Sequence, residues 1–269
     1  MKNIALRIRY DGAAYHGWQK QKNLPTVQET LENALTRVCG HPVKVTGCGR
    51  TDAGVHAERY CVNFQSDCRV PLERLPLAVN TLLPVNIVVQ DACPAPEEFC
   101  AIRSCIQKEY TYRILNTRIR DPFLAGRVCF YPAPLDLERM RAAGETFVGT
   151  HDFAAVRSVG TETKTTVRTV KWCDTALEDG LITIRVCADG FLYNMARAIV
   201  GTMVYAAHGK ISPEEIPALL EKGDRRLTGP TMPPQGLAMT RSFNPAAVPV
   251  DRSFCTPFRS SHLTLVVSP

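Results

Sequence analysis

The chain has no C-x-x-C pair and no apolar run long enough to cross a bilayer. Its eleven cysteines are an odd number spread over 269 residues, which argues against a disulfide framework. The tightest group, Cys93, Cys100 and Cys105, is spaced by seven and five residues. That is wider than the ligand pairs of structural zinc sites, so free thiols and no metal are expected. A membrane-spanning helix needs about 20 consecutive apolar residues, so no membrane partner is expected either. The N-terminal stretch MKNIALRIRYDG interleaves charges with apolar residues and has no small-residue cleavage site. It lacks the form of a signal peptide, and a cytoplasmic location is the expectation.

What is present is the composition of an ordinary globular protein, 45% apolar and 22% charged, so the chain can bury a substantial core. The net charge of +6 suits a polyanionic partner but is also common among proteins that bind none. Its distribution says more. In IALRIRY, Ile4, Leu6, Ile8 and Tyr10 share one face of a strand while Arg7 and Arg9 share the other. That second face is either a solvated strand surface or a place for phosphates.

The periodicity predicts a strand over 3–10, then a helix from Thr26 to Gly40. Thr26 and Glu29 form a capping-box pattern, Val27, Leu31, Leu35 and Val38 make an apolar stripe, and Gly40 closes the end. Strands over 43–46 and 59–65, a helix over about 71–82 and a strand at 87–89 follow. A second series then runs through a strand at 108–115, a helix at about 136–148, strands near 168–174 and 181–188, a helix from about 192 to 208, and a short helix capped by Ser212. Strands mixed with helices and short connections favour an α+β architecture with a largely antiparallel sheet. The expected divisions are an N-terminal half over 1–103, a C-terminal half over 104–245 and a Pro-, Ser- and Thr-rich tail over 246–269 that docks through Leu263–Val267.

Between the strands at 43–46 and 59–65 lies Gly47-Cys48-Gly49-Arg50-Thr51-Asp52-Ala53-Gly54-Val55-His56-Ala57. Three glycines allow tight turns and close approach to a ligand, and loops of this kind often hold active residues. Asp52 is its one carboxylate, with Arg50 two positions before it. From spacing alone Asp52 is equally a turn-capping residue. Further on, Met195, Ile199 and Met203 form one line of an apolar helix. Asn194, Arg197 and Gly201 fall on another, so the single internal charge of that helix lies beside a position with no side chain.

The segment GRTDAGVHA resembles the signature loop of the TruA family of tRNA pseudouridine synthases. YDGAAYHGWQKQ at 10–21 with TVQ at 26–28, KEYTY at 108–112, GTHDF at 149–153, FLYNMARAIVG at 191–201 and GPTMPPQGL at 229–237 resemble its other blocks in the correct order. The resemblance spans about residues 4–240. It implies the pseudouridine synthase fold, two similar halves around a central, largely antiparallel mixed sheet flanked by helices. It implies an isomerase that converts uridine to pseudouridine at positions 38, 39 and 40 in the anticodon stem-loop of tRNA, as a homodimer, with no metal or cofactor and with no DNA partner. By the same resemblance Asp52 is the catalytic aspartate, Arg50 positions the substrate, Tyr110 contacts the target base, and Arg197 pairs with Asp52.

These roles suit the chemistry. The glycosidic bond must break and a carbon–carbon bond form, which needs a nucleophile or a carbocation stabiliser and later a proton acceptor. A carboxylate confined with a base would stay protonated unless a cation stood nearby, and Arg197 supplies one. A tyrosine ring at Tyr110 can stack on an extruded uracil. Whether Asp52 attacks the ribose or the ring is left open by the sequence. His56 and His151 are read as structural hydrogen-bonding residues.

At Phe99-Cys100-Ala101-Ile102-Arg103 the family usually carries an arginine where Ile102 stands, and on a strand Arg103 would point to the opposite face. Two other readings remain open at this stage. One is a non-catalytic RNA-binding protein on the same fold, which needs no paired Asp52 and Arg197. The other is a glycosidase, which needs a second carboxylate.

Overall fold

In the computed structural model, residues 1–158, 160 and 163–243 are described. Strand β1 (Lys2–Tyr10) alternates as its sequence demands: Ile4, Leu6, Ile8 and Tyr10 are buried while Arg9 is exposed. It pairs antiparallel with β3 (His56–Ser66) on one side and β4 (Ile87–Pro94) on the other. A short β2 (Thr46–Gly47) also pairs with β3. In the second half, β5 (Gln107–Leu115), β9 (Leu181–Ala188), β8 (Val167–Glu178) and β7 (Gly149–Asp152) form an antiparallel run, and β6 (Cys129–Phe130) lies parallel to the end of β5.

The two runs join through β10 (Leu237–Phe243), so the sheet reads β4-β1-β3-β10-β5-β9-β8-β7. β10 is parallel to β3, with Ala238 opposite His56, and antiparallel to β5, with Met239 opposite Tyr110. The result is an α+β fold with a largely antiparallel mixed sheet. This central strand escapes a reading by periodicity because Leu237, Ala238, Met239 and Thr240 are all buried, which erases the alternation that marks a half-exposed strand.

Helix α1 (Val27–Cys39) buries Val27, Leu31, Ala34 and Leu35 and ends at Gly40, whose φ of 74° is the left-handed C-cap that glycine favours. The capping box is not formed. The Thr26 hydroxyl makes no cap hydrogen bond, and Glu29 turns outward to an ion pair with Lys20 at 2.9 Å. Helix α2 (Leu75–Asn80) is shorter than expected because residues 71–74 form a turn. Helix α3 (Leu137–Glu145) is capped by Asp136, whose carboxylate accepts from the Arg139 N–H at 3.1 Å. Helix α4 (Met195–Ala207) starts after its expected first turn, since Asn194 sits in the left-handed region at φ 60°. Ser212 precedes a 3-10 turn and then α5 (Ile216–Lys222), with the Ser212 N–H donating to the Glu215 carboxylate at 2.9 Å. The strand expected over 43–46 is present only at Thr46, although Val43 and Val45 reach the core. The tail at 246–269 and its docking residues lie outside the described residues.

Candidate active site

The loop of residues 47–56 links β2 to β3 at the seam where β10 joins the two halves. It is held by the segment that follows β1. The Trp18 N–H donates to the Thr51 carbonyl at 3.1 Å, the Gly54 N–H to the Tyr15 carbonyl at 3.2 Å, and the Tyr10 hydroxyl meets Thr51 Oγ1 at 2.8 Å. Gly17 makes this embrace possible. Its φ is 88°, and a Cβ there would lie 2.4 Å from the Thr51 carbonyl oxygen. The early motif and the glycine-rich loop, remote in their sequence roles, thus form one packed unit.

His56 completes the clamp at the loop's far end. Its Nε2 faces the Gln235 carbonyl at 3.2 Å, and its Nδ1 accepts from the Gly12 N–H at 3.1 Å. His151 contacts the Val148 carbonyl at 3.0 Å and packs edge-on against Phe153. Each has structural hydrogen-bond partners.

A cleft of about 640 Å³ opens above the loop, a size in the usual range for small-molecule sites. Asp52, Arg50, Tyr110 and Arg197 all line it. Arg197 Nη1 lies 3.5 Å from Asp52 Oδ2, and both side chains are largely withdrawn from water. Burial pushes the Asp52 carboxyl above its ordinary range, and the Arg197 guanidinium opposes that push. Arg197 is itself fixed: Nε donates to the Met232 carbonyl at 2.6 Å and Nη1 to Asn194 Oδ1 at 2.7 Å.

The strap carrying Met232 reaches α4 because Gly201 has no side chain. A Cβ there would lie 1.8 Å from the Pro230 carbonyl oxygen. The glycine next to Arg197 on the helix face is therefore the position that lets the strap hold the arginine.

Tyr110 is a wall of the cleft rather than a free ring. It is 7% exposed and packs edge-to-face on Phe191, with centroids 4.8 Å apart. Burial holds its hydroxyl well above the ordinary phenol range, with Tyr10, Cys48 and Asp52 adding to the effect. Tyr112, on the same strand face, is a core residue whose hydroxyl donates to the Pro233 carbonyl at 2.7 Å. Cys48, although it belongs to the loop, is pushed up to about 12 by burial and stays an inert thiol near neutral pH. Arg50 is exposed at the mouth.

Lys108, Arg157, Arg168 and Phe191 line the same cleft and were not singled out from the sequence. Lys108 had a signal: on a strand it shares the face of Tyr110, two residues on. Arg157 and Arg168 had none, since only the fold brings β8 and the segment before it to the loop. Ile102 also lines the cleft and is exposed, whereas Arg103 does not line it. Both sit in a turn, so the strand-face argument does not apply to them.

Among the described residues the cleft has one carboxylate, Asp52, against five cationic side chains. That charge balance, with Tyr110 and Phe191 in the lining, suits a phosphate-bearing substrate that carries a flat base. No group of three or more His, Cys, Asp or Glu residues among the described ones is placed to hold a metal ion. No helix among them is long and apolar enough to cross a membrane.

Comparison with known proteins agrees with this class. A family model described as tRNA pseudouridine synthase matches residues 7–103 and 143–244. The curated tRNA pseudouridine synthase A of Caldicellulosiruptor bescii is 44% identical over 237 residues, which is 88% of this chain and 97% of that protein. Its counterpart from Citrifermentans bemidjiense is 43% identical over 90% of this chain and 98% of that one. Among solved structures, a chain of a Cbf5-Nop10-Gar1 complex superposes with a TM-score of 0.41 at 13% identity, over 88% of this chain and 48% of that one. The chain belongs to the tRNA pseudouridine synthase family and is an isomerase acting on tRNA.

Proposed function

We propose that this enzyme converts uridine to pseudouridine at positions 38, 39 and 40 of the tRNA anticodon stem-loop, with Asp52 as nucleophile. The observation that carries the reading is the placement of Asp52 3.5 Å from Arg197, as the one carboxylate in a cationic cleft among the described residues. The cation favours the ionised carboxylate against a burial that disfavours it. Attack by that carboxylate, at the ribose carbon or at the ring, frees the N1–C1′ bond. The uracil turns, C5 bonds to C1′, the bond that Asp52 made breaks and returns its electron pair to the carboxylate, the C5 proton leaves, and N1 ends protonated. Nothing is oxidised or reduced. The net change is one bond exchanged and one proton moved within the nucleoside.

Arg50 at the cleft mouth contacts the phosphates beside the extruded uridine, and Lys108, Arg157 and Arg168 extend that electrostatic track. Tyr110 sets its ring against the uracil and serves the proton transfer from C5. Burial keeps Tyr110 a neutral phenol, which accepts the C5 proton only if it passes on its own proton in the same step. No second carboxylate lines the cleft among the described residues, which disfavours a glycosidase. The working unit is proposed to be a cytoplasmic homodimer that needs no metal or cofactor.

The test is incubation with unmodified tRNA transcripts, followed by chemical mapping. Pseudouridine confined to positions 38–40 is expected. Product at other sites only would refute the site assignment, and binding without product would point to the non-catalytic reading.

A further inference from the structure

We propose that Asn194 is a positioning residue that holds Arg197 at a set distance from Asp52, keeping the guanidinium close enough to favour the carboxylate's charge but too far to occupy its oxygens. The inference rests on the reading of Asp52 as an ionised nucleophile.

Asn194 stands at the N-cap position of α4, where an asparagine ordinarily has extended backbone and turns its side chain onto the first free helix amides. Here it does neither. Its φ of 60° and ψ of 6° are left-handed, and its side chain makes no cap hydrogen bond. Instead Oδ1 accepts from Arg197 Nη1 at 2.7 Å and Nδ2 donates to Ser158 Oγ at 2.9 Å. The Ser158 N–H in turn donates to the Tyr193 carbonyl at 3.0 Å. A sparsely populated backbone conformation and a forgone cap are both costs, and what they secure is a fixed acceptor for Arg197.

The same nitrogen, Nη1, is 2.7 Å from the neutral Asn194 oxygen and 3.5 Å from the charged Asp52 oxygen. Left to itself, a guanidinium beside a carboxylate closes to about 2.7–2.9 Å, often through two bonds. Arg197 does not, because Nε is anchored on the Met232 carbonyl and Nη1 on Asn194. A carboxylate closely paired with arginine is a weaker nucleophile and gives up those bonds when it attacks. The offset leaves Asp52 the electrostatic benefit without that loss.

The other charged or titratable groups lining the cleft, among the described residues, are His16 before α1, Arg50 on the loop of Asp52, Lys108 and Tyr110 from β5, Arg157 before β8, Arg168 on it, and Tyr193 directly before Asn194. Both substitutions at Asn194 leave all of these residues in the sequence, so opposite movements of the acid limb report on the charge set at Asn194 and Arg197.

Two substitutions separate this role from a merely structural one. Asn194→Gly accepts the left-handed backbone and removes the acceptor, so Arg197 closes on Asp52. Asn194→Asp tolerates the same backbone, keeps an acceptor and adds a negative charge across Arg197 from Asp52. The readout is the pH dependence of single-turnover pseudouridine formation at saturating enzyme, with thermal melting as the folding check.

For Asn194→Gly the acid limb moves to lower pH, and the plateau rate falls about tenfold to a hundredfold, as expected when a catalytic group shifts by somewhat less than 1 Å. For Asn194→Asp the acid limb moves to higher pH. Each displacement should be about half a pH unit or more, since nearby charges of either sign move a carboxyl by this order. If either variant fails to fold, Ser158→Ala loosens the amide from its other end and moves the limb as the glycine variant does, by less. Unmoved limbs, or both limbs moving the same way, with folding intact, would overturn the proposal. Asp52→Asn run alongside separates the two levels: retained turnover there means that the nucleophile reading has failed, whereas a dead Asp52→Asn enzyme with unmoved limbs means that only the Asn194 role has.

Discussion

Replacing Arg197 by methionine removes the cation while keeping helix propensity and much of the apolar stem. At 3.5 Å the Coulomb attraction between the two charges amounts to about 1 kcal/mol in bulk water and about 5 kcal/mol at an effective dielectric near 20. The Asp52 side chain is 27% exposed, so water compensates part of the loss and about 1–3 kcal/mol is the expected change. The sign follows from the opposing causes: burial raises the Asp52 carboxyl, Arg197 lowers it, and removing Arg197 leaves burial unopposed. Activity that depends on the ionised form is lost as pH falls through the carboxyl's pKa, so the acid limb of the pH–rate profile moves to higher pH, by one unit for each ~1.4 kcal/mol. The assay is single-turnover conversion of a tRNA transcript from acid to neutral pH, alongside a melting curve. An acid limb that stays in place while the variant remains folded would refute the pairing as the source of Asp52's charge.

Three further outcomes follow from the same geometry. Tyr110→Phe retains the ring and its contact with Phe191 and should bind tRNA nearly normally while slowing product formation by roughly 10²–10⁴-fold, the usual contribution of general acid–base catalysis. A near-normal rate would show that the ring only packs on the base, and Tyr110→Ala should weaken binding in either case. Gly201→Ala forces a methyl group to within 1.8 Å of the Pro230 carbonyl oxygen and should destabilise the fold by about 1–3 kcal/mol while displacing the strap that anchors Arg197; an unchanged melting temperature would contradict this. Exhaustive chelation should leave activity intact, and activity lost to chelator and restored by zinc would overturn the reading of the cysteines as plain thiols.

Strand β1 and helix α1 were legible because one face of each meets water. The alternation in β1 and the stripe of α1 mark the side that faces the core. β10 was not, because all of its first four residues are buried and its pairings, to His56 and Tyr110, are set by chain segments more than a hundred residues away. The capping box at Thr26 failed for a local reason, since a nearby lysine offers Glu29 a charged partner. The same holds for the site. Asp52, Arg50, Tyr110 and Arg197 were named through motif resemblance, and they line one cleft. The parts that fix them were not legible: the Met232 carbonyl is backbone, and the left-handed turn at Asn194 looks in sequence like the first turn of a helix. Arg157 and Arg168 became visible only once the sheet had brought them across from the loop.

The most direct test of the account is single-turnover conversion of unmodified tRNA by Asp52→Asn, with enzyme in excess and pseudouridine read by chemical mapping. Asparagine keeps the shape of the side chain and removes its charge, so tRNA affinity should stay within about tenfold, being supplied mainly by phosphate contacts. The account predicts no pseudouridine at positions 38–40 from the folded, tRNA-bound variant, where the unaltered enzyme converts its substrate. Appreciable product from that variant would remove Asp52 from the chemistry and contradict the account.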